Sequence, residues 1–183
     1  MIIMPGPFLP PIAAALLLAL STAPLGAQTN DTLTETDTSA TQEDAPESGI
    51  WGVACDRDVA GTKTGCRVTQ TVVARETGKR LLTVSVRRTP DGADPTVLLT
   101  LPLRTFLVPG TMIKVDDGPG RQSPFELCDE NGCYAGLPAD ESLVADLKTG
   151  KTLSVEFFDA KRQKTEIKLP LKTFGESFDK AGS

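Results

Sequence analysis

Leu81-Leu82-Thr83-Val84-Ser85-Val86-Arg87 sets the class of this chain. Leu82, Val84 and Val86 alternate with Thr83, Ser85 and Arg87, a period of two that buries one face of an extended segment and leaves the other to water. The same alternation returns further on, where Val155 and Phe157 interleave with Ser154 and Glu156. Outward from these two stretches, short apolar and β-branched runs recur between Gly, Pro, Asp and Asn, the pattern of an all-β sandwich or barrel. Strands are expected at Ile50 to Cys55, Cys66 to Val73, Leu81 to Arg87, Thr96 to Leu101, Leu103 to Val108, Met112 to Val115, Phe125 to Cys128, Cys133 to Leu137, Leu153 to Phe158 and Thr165 to Leu169.

Three dipeptides, Asp91-Gly92, Asp117-Gly118 and Asn131-Gly132, are suited to the positive φ angles of tight reversals, so pairing is expected to be mainly antiparallel. One or two short helices interrupt the strands. Asp140 is placed to cap a turn in which Leu143, Val144 and Leu147 share a face, and Gly150 lies where that helix would stop. Near the carboxyl end Phe174 and Phe178 are one helical turn apart, which fits a short closing helix. Trp51, the sole tryptophan, opens the first strand and is expected to plug the core beside Cys55.

An internal echo joins two distant parts of the chain. Leu101-Pro102-Leu103-Arg104-Thr105-Phe106 returns as Leu169-Pro170-Leu171-Lys172-Thr173-Phe174. Proline cannot donate to a ladder, so each copy marks a strand edge or bulge, and the pair suggests two equivalent corners, one on each sheet, against the alternative that apolar-Pro-apolar strings recur by chance in an all-β chain with a small turn vocabulary.

The four cysteines form two close pairs. Of the three connectivities open to four cysteines, local pairing is favoured: Cys55 with Cys66 ties the ends of a hairpin, and Cys128 with Cys133 clamps the turn at Asn131-Gly132. Loop-closure entropy assigns roughly 3 kcal/mol to the larger loop and about 2 to the smaller. A four-cysteine zinc site fits poorly with these spacings, and Cys-Asp-Glu-Asn-Gly-Cys is too long for a redox C-x-x-C. Oxidised pairs place the domain outside the cytosol.

The amino-terminal region agrees with export. Ile12 to Leu20 is continuously apolar and too short to span a bilayer, so residues 1–27 are expected to be a signal peptide cleaved after Leu25-Gly26-Ala27, leaving no membrane span; the alternative is an uncleaved amino-terminal anchor, since residues 1–11 carry no Lys or Arg and Leu25 is bulky for a cleavage site. Residues 28–48 carry Asp31, Glu35, Asp37, Glu43, Asp44 and Glu47 with no basic residue, an acidic linker expected to be disordered. They account for the whole-chain charge of −5: residues 49–183, the expected single domain, hold 19 basic against 18 acidic side chains. That balance offers no footprint for nucleic acid.

With no histidine in 183 residues, Ser-His-Asp and Cys-His catalysis and histidine-ligated metals are excluded. Asp116 with Asp117 and Asp129 with Glu130 are read as solvated turn acids. No catalytic residue, metal site or cofactor is assigned, and the chain is read as a non-enzyme. Lys161, Arg162 and Lys164 are a candidate polyanion contact, set against the reading of a solvated hairpin before a lysine-guarded edge strand.

In order along the chain, Trp51-Gly52-Val53-Ala54-Cys55, Cys66 with Arg67, Val68 and Gln70, Leu101-Pro102-Leu103, Val115-Asp116, Cys128 with Gly132-Cys133, Leu147-Lys148-Thr149-Gly150 and Leu169-Pro170-Leu171 running to Phe174-Gly175 resemble the invasion-associated locus B family of alphaproteobacterial exported proteins. The resemblance implies an immunoglobulin-like antiparallel β-sandwich, periplasmic or secreted, with a role in host-cell entry behind the family's name and no catalytic residues to carry over. The function expected is an envelope or secreted binding module for a protein or glycan partner of the envelope or a host surface. The alternative is a periplasmic structural or envelope-stress factor without a discrete ligand.

Overall fold

The computed structural model describes residues 50–88 and 93–182. In chain order the strands are β1 Gly52–Arg57, β2 Lys63–Val73, β3 Arg80–Arg88, β4 Thr96–Leu101, β5 Thr111–Val115, β6 Arg121–Ser123, β7 Phe125–Asp129, β8 Gly132–Pro138, β9 Thr152–Phe158 and β10 Lys164–Pro170. Helix α1, Glu141–Thr149, precedes β9, and α2, Phe174–Gly182, closes the chain.

The alternation in β3 dictates its neighbours. Val86 lies opposite Val68 of β2 and Val97 of β4, and Leu99 of β4 faces Ala135 of β8. The resulting sheet runs β1-β2-β3-β4-β8-β7, and a second runs β10-β9-β5-β6, with every pair antiparallel. The inner faces, Val68, Val84 and Leu99 on one side and Ile113, Val155 and Ile167 on the other, join one buried cluster that also takes in Leu143, Leu147, Phe174 and Phe178. The architecture is an antiparallel β-sandwich with two helices and two disulfides. Each such side chain contributes about 1.5–3 kcal/mol on burial. The ion pairs, Lys180 with Glu176 for example, lie at the exposed surface, where a pair contributes about 0–1 kcal/mol. The faces, not the charges, hold the sheets together.

Helix α1 begins where Asp140 accepts from the Leu143 amide at 2.8 Å. It ends at Gly150, whose φ of −71° needs no glycine; the demand is steric, because a β-carbon there would stand 2.4 Å from Val115 Cγ1. Helix α2 lays Phe174, Phe178 and Ala181 into the core. Trp51 meets it there: only 2% exposed, its ring stands edge-on to Phe174 with centroids 4.9 Å apart.

The disulfides join residues that face each other directly, Cys55 with Cys66 across β1 and β2 and Cys128 with Cys133 across β7 and β8. The second spans a two-residue turn in which the Asp129 carboxylate accepts from the Asn131 amide at 2.7 Å.

Three expectations are corrected. Leu103 to Val108 is not a strand: after Pro102 the chain turns through Arg104 in the left-handed region at φ 77°, and only Phe106 makes a bridge, to Phe158. Apolar content there was not matched by ladder donors and extended backbone. The short β6 carries no apolar periodicity, and it forms because Ser123 is held on both sides, its carbonyl by the Thr111 hydroxyl and its own hydroxyl on Gly136 O. At the turn after β5 the left-handed residue is Asp116, at φ 47°, not Asp117 or Gly118. Asp116 is more than a solvated turn acid, since its carboxylate accepts from the amides of Lys151 and Thr152 and so pins the start of β9. The Asp91-Gly92 turn lies outside the described residues.

Candidate functional site

The two copies of the echoed hexapeptide each leave the end of a strand, β4 in one sheet and β10 in the other. The surroundings of the two copies differ. Around the second copy the core is closed: Leu171 and Phe174 are buried, and Trp51 donates from Nε1 to Pro170 O and from its amide to Thr173 Oγ1, both at 3.0 Å.

Around the first copy lies a cleft of about 270 Å³. Its floor is apolar, built from Leu81 of β3, Phe157 of β9 and Ile167 of β10, and its wall is Pro102, Leu103, Arg104 and Thr105. Thr105 donates its hydroxyl to Pro102 O at 2.8 Å. Leu103, 50% exposed, shares its loop with two further exposed apolar residues, Leu107 and Val108. Arg104 holds a left-handed backbone conformation at the mouth, a costly one for a non-glycine residue and one that concentrates at ligand clamps.

The basic string predicted from sequence sits next to this mouth without forming a single patch. Asp159, also on the rim, accepts from the amides of Lys161 and Gln163 and shapes the β9–β10 turn, in which Arg162 is left-handed at φ 62°. The Arg162 guanidinium stacks over the Phe106 ring at 4.9 Å. Lys164, on the second sheet's edge strand β10 and opposite Phe158, pairs diagonally with Glu156 of β9 at 2.8 Å. The four cysteines are brought together only as the two bridges, away from the cleft.

Perturbed acids mark catalytic centres in many folds. Here each has a structural cause. Asp140 is held at about 2 by the Leu143 amide and the Arg121 guanidinium. The Asn131 amide lowers Asp129, and Lys180 lowers Glu176. Desolvation and the neighbouring Asp129 carboxylate raise Tyr134. All four are caps, turns or surface pairs, none lines the cleft, and among the described residues no group of three or more His, Cys, Asp or Glu is placed to hold a metal. The cleft offers an apolar floor, a carbonyl, a hydroxyl, the Arg104 cation and the Asp159 carboxylate, which are groups for recognition.

Sequence reasoning flagged the echo but missed the cleft. The one signal available was asymmetry: the second copy runs into the closing helix at Phe174, and the first does not.

Comparison with known proteins agrees with the fold. A family model described as invasion associated locus B (IalB) protein matches residues 51–182. Two relatives, each called an invasion protein B homolog, from Brucella abortus strain 2308 and Brucella abortus biovar 1 strain 9-941, are each 32% identical over 131 residues, covering 71% of this chain and 74% of theirs. The crystal structure of an invasion associated protein B from Bartonella henselae superposes with a TM-score of 0.62 at 22% identity, over 73% of this chain and 90% of that one.

Proposed function

This chain belongs to the invasion associated locus B family, and from that premise we propose that it is an exported, non-enzymatic binding module of the cell envelope or its exterior. Residues 1–27 serve as the leader, residues 28–48 as an acidic tether, and residues 49–183 as the module, which recognises a protein partner in the envelope or on a host surface.

The observation that carries this reading is the apolar cleft beside Leu101–Phe106, open at the surface of a sandwich held by two disulfides and one continuous core. Rigid scaffolds carry their recognition groups on loops. The relatives' names support a role at the cell exterior, and the cysteine bridges support an oxidising compartment. Among the described residues no helix is long and apolar enough to cross a membrane.

Affinity capture tests the proposal. The exported, oxidised protein, with an amino terminus reading Gln28, serves as bait for envelope and host-surface extracts beside a Leu103→Asp bait. A stoichiometric partner retained by the first and lost by the second is expected. Equal capture by both removes the cleft from the reading, and no partner in any extract favours a structural envelope factor instead.

A further inference from the structure

Resting on the binding-module reading, we propose that the cleft beside Leu101–Phe106 is a docking site for an extended peptide that presents a tryptophan side chain. The incoming residue sits on Pro102 and Thr105 as Trp51 sits on Pro170 and Thr173.

The molecule contains its own template for this complex. The two hexapeptides differ only in Arg104 against Lys172, and each leaves a strand end in a different sheet. In the filled copy the acceptors are Pro170 O for the indole N–H and Thr173 Oγ1 for the backbone amide. The first copy has the same two groups, Pro102 O and Thr105 Oγ1, and here they bond to each other. A rotation of the Thr105 hydroxyl releases both. The apolar half of the seat is built differently: Trp51 meets Phe174 edge-on, whereas its counterpart Phe106 lies under Arg162, and Leu81, Phe157 and Ile167 supply the floor beside half-exposed Leu103 instead.

Size and chemistry narrow the occupant. About 270 Å³ falls below the roughly 300–1,000 Å³ of sites that hold whole cofactors or drug-sized ligands. One large side chain fits better. A glycan would need a free aromatic face at the rim, but the near one, Phe106, is covered by Arg162. The two copies are not superposable throughout: Arg104 is left-handed, and the first copy turns away from its strand one residue earlier. That early turn directs Leu103 to solvent and leaves the seat open.

The probe is the capped peptide acetyl-Gly-Ile-Trp-Gly-Val-Ala-amide, the sequence of residues 49–54, with versions carrying Ala or Phe in place of Trp. Trp51 is tethered beside its own seat at an effective concentration on the order of millimolar or above, so free peptide is directed to the open one. Titrated into the 15N-labelled oxidised protein, the Trp peptide is expected to give saturable amide shifts at Leu81, Leu103 to Phe106 and Ile167, with the Phe peptide weaker and the Ala peptide inert. Thr105→Val should weaken binding about five- to tenfold, the value of one hydrogen bond, and Thr105→Ser should restore it. Leu103→Asp, at a half-exposed position, should abolish binding with the thermal midpoint unchanged. Equal shifts with the Trp and Ala peptides, or shifts confined to Leu169–Phe174, overturn the inference. If extract capture still yields a partner after either result, only the tryptophan assignment has failed and the module reading stands.

Discussion

Trp51 ties together parts of this fold that are far apart in the chain. It joins the first described strand to the last helix through two donated hydrogen bonds, an accepted one from Ser177 Oγ to its carbonyl at 2.7 Å, and the edge-on contact with Phe174. Its burial was legible from composition, because a lone tryptophan next to a strand packs more often than it binds. Its partners were not: Pro170 lies 119 residues away, and no local pattern announces a contact at that range. Trp51→Ala is expected to cost about 3–5 kcal/mol, the range for deleting a large aromatic from a core. Trp51→Phe keeps most of the ring but leaves Pro170 O without its donor, a loss of about 1–3 kcal/mol. Urea denaturation should therefore rank the midpoints wild type, Phe, Ala. A Phe variant as stable as wild type would show that the indole hydrogen bond contributes nothing net.

Among the elements, those with a period of their own could be read directly and those made by their neighbours could not. β3 and β9 announce themselves through alternation, and α1 through its Asp140 cap and the spacing of Leu143 and Leu147. β6 is three residues of Arg-Gln-Ser that owe their conformation to Thr111 and Gly136, and the Leu103–Val108 segment has strand composition without strand backbone. The disulfides allow a test at this scale. Cys55–Cys66 closes a separation of 11 residues and fastens β1, an exposed edge strand with one neighbour. Cys128–Cys133 closes 5 and fastens a hairpin already held by the Asp129 carboxylate. Loop entropy gives roughly 3 kcal/mol for the first and about 2 for the second. The Cys55→Ala/Cys66→Ala variant should thus lose about 1 kcal/mol more than Cys128→Ala/Cys133→Ala, and it alone should speed amide exchange along β1. Equal losses, with β1 protection intact, would mean that the strand ladder holds this edge without its bridge.

For the whole molecule, the question is whether charge or shape does the recognising. The full chain carries −5, and the acids responsible for that excess precede residue 49, leaving the remainder with 19 basic and 18 acidic groups. Lys161, Arg162 and Lys164 looked like a cluster in sequence because they are neighbours in the chain; in three dimensions Lys164 is matched by Glu156, Arg162 is laid on Phe106, and Asp159 anchors the turn between them. The cleft had the opposite fate. Its lining comes from β3, the β4–β5 connection, β9, the β9–β10 turn and β10, five places that only the packing of two sheets brings together, so no stretch of sequence could display it. A long-range field is therefore weak and a local shape is present. At about 0.15 M salt the screening length is roughly 8 Å, short enough to silence what steering three cations, two of them engaged, provide. The protein is expected to leave immobilised heparin before that salt concentration, and the Lys161→Ala/Arg162→Ala/Lys164→Ala variant to elute with it above 0.1 M. Elution of the wild type beyond about 0.3 M, lost in the triple variant, would make the β9–β10 turn a polyanion contact and move recognition from the cleft to the charged hairpin beside it.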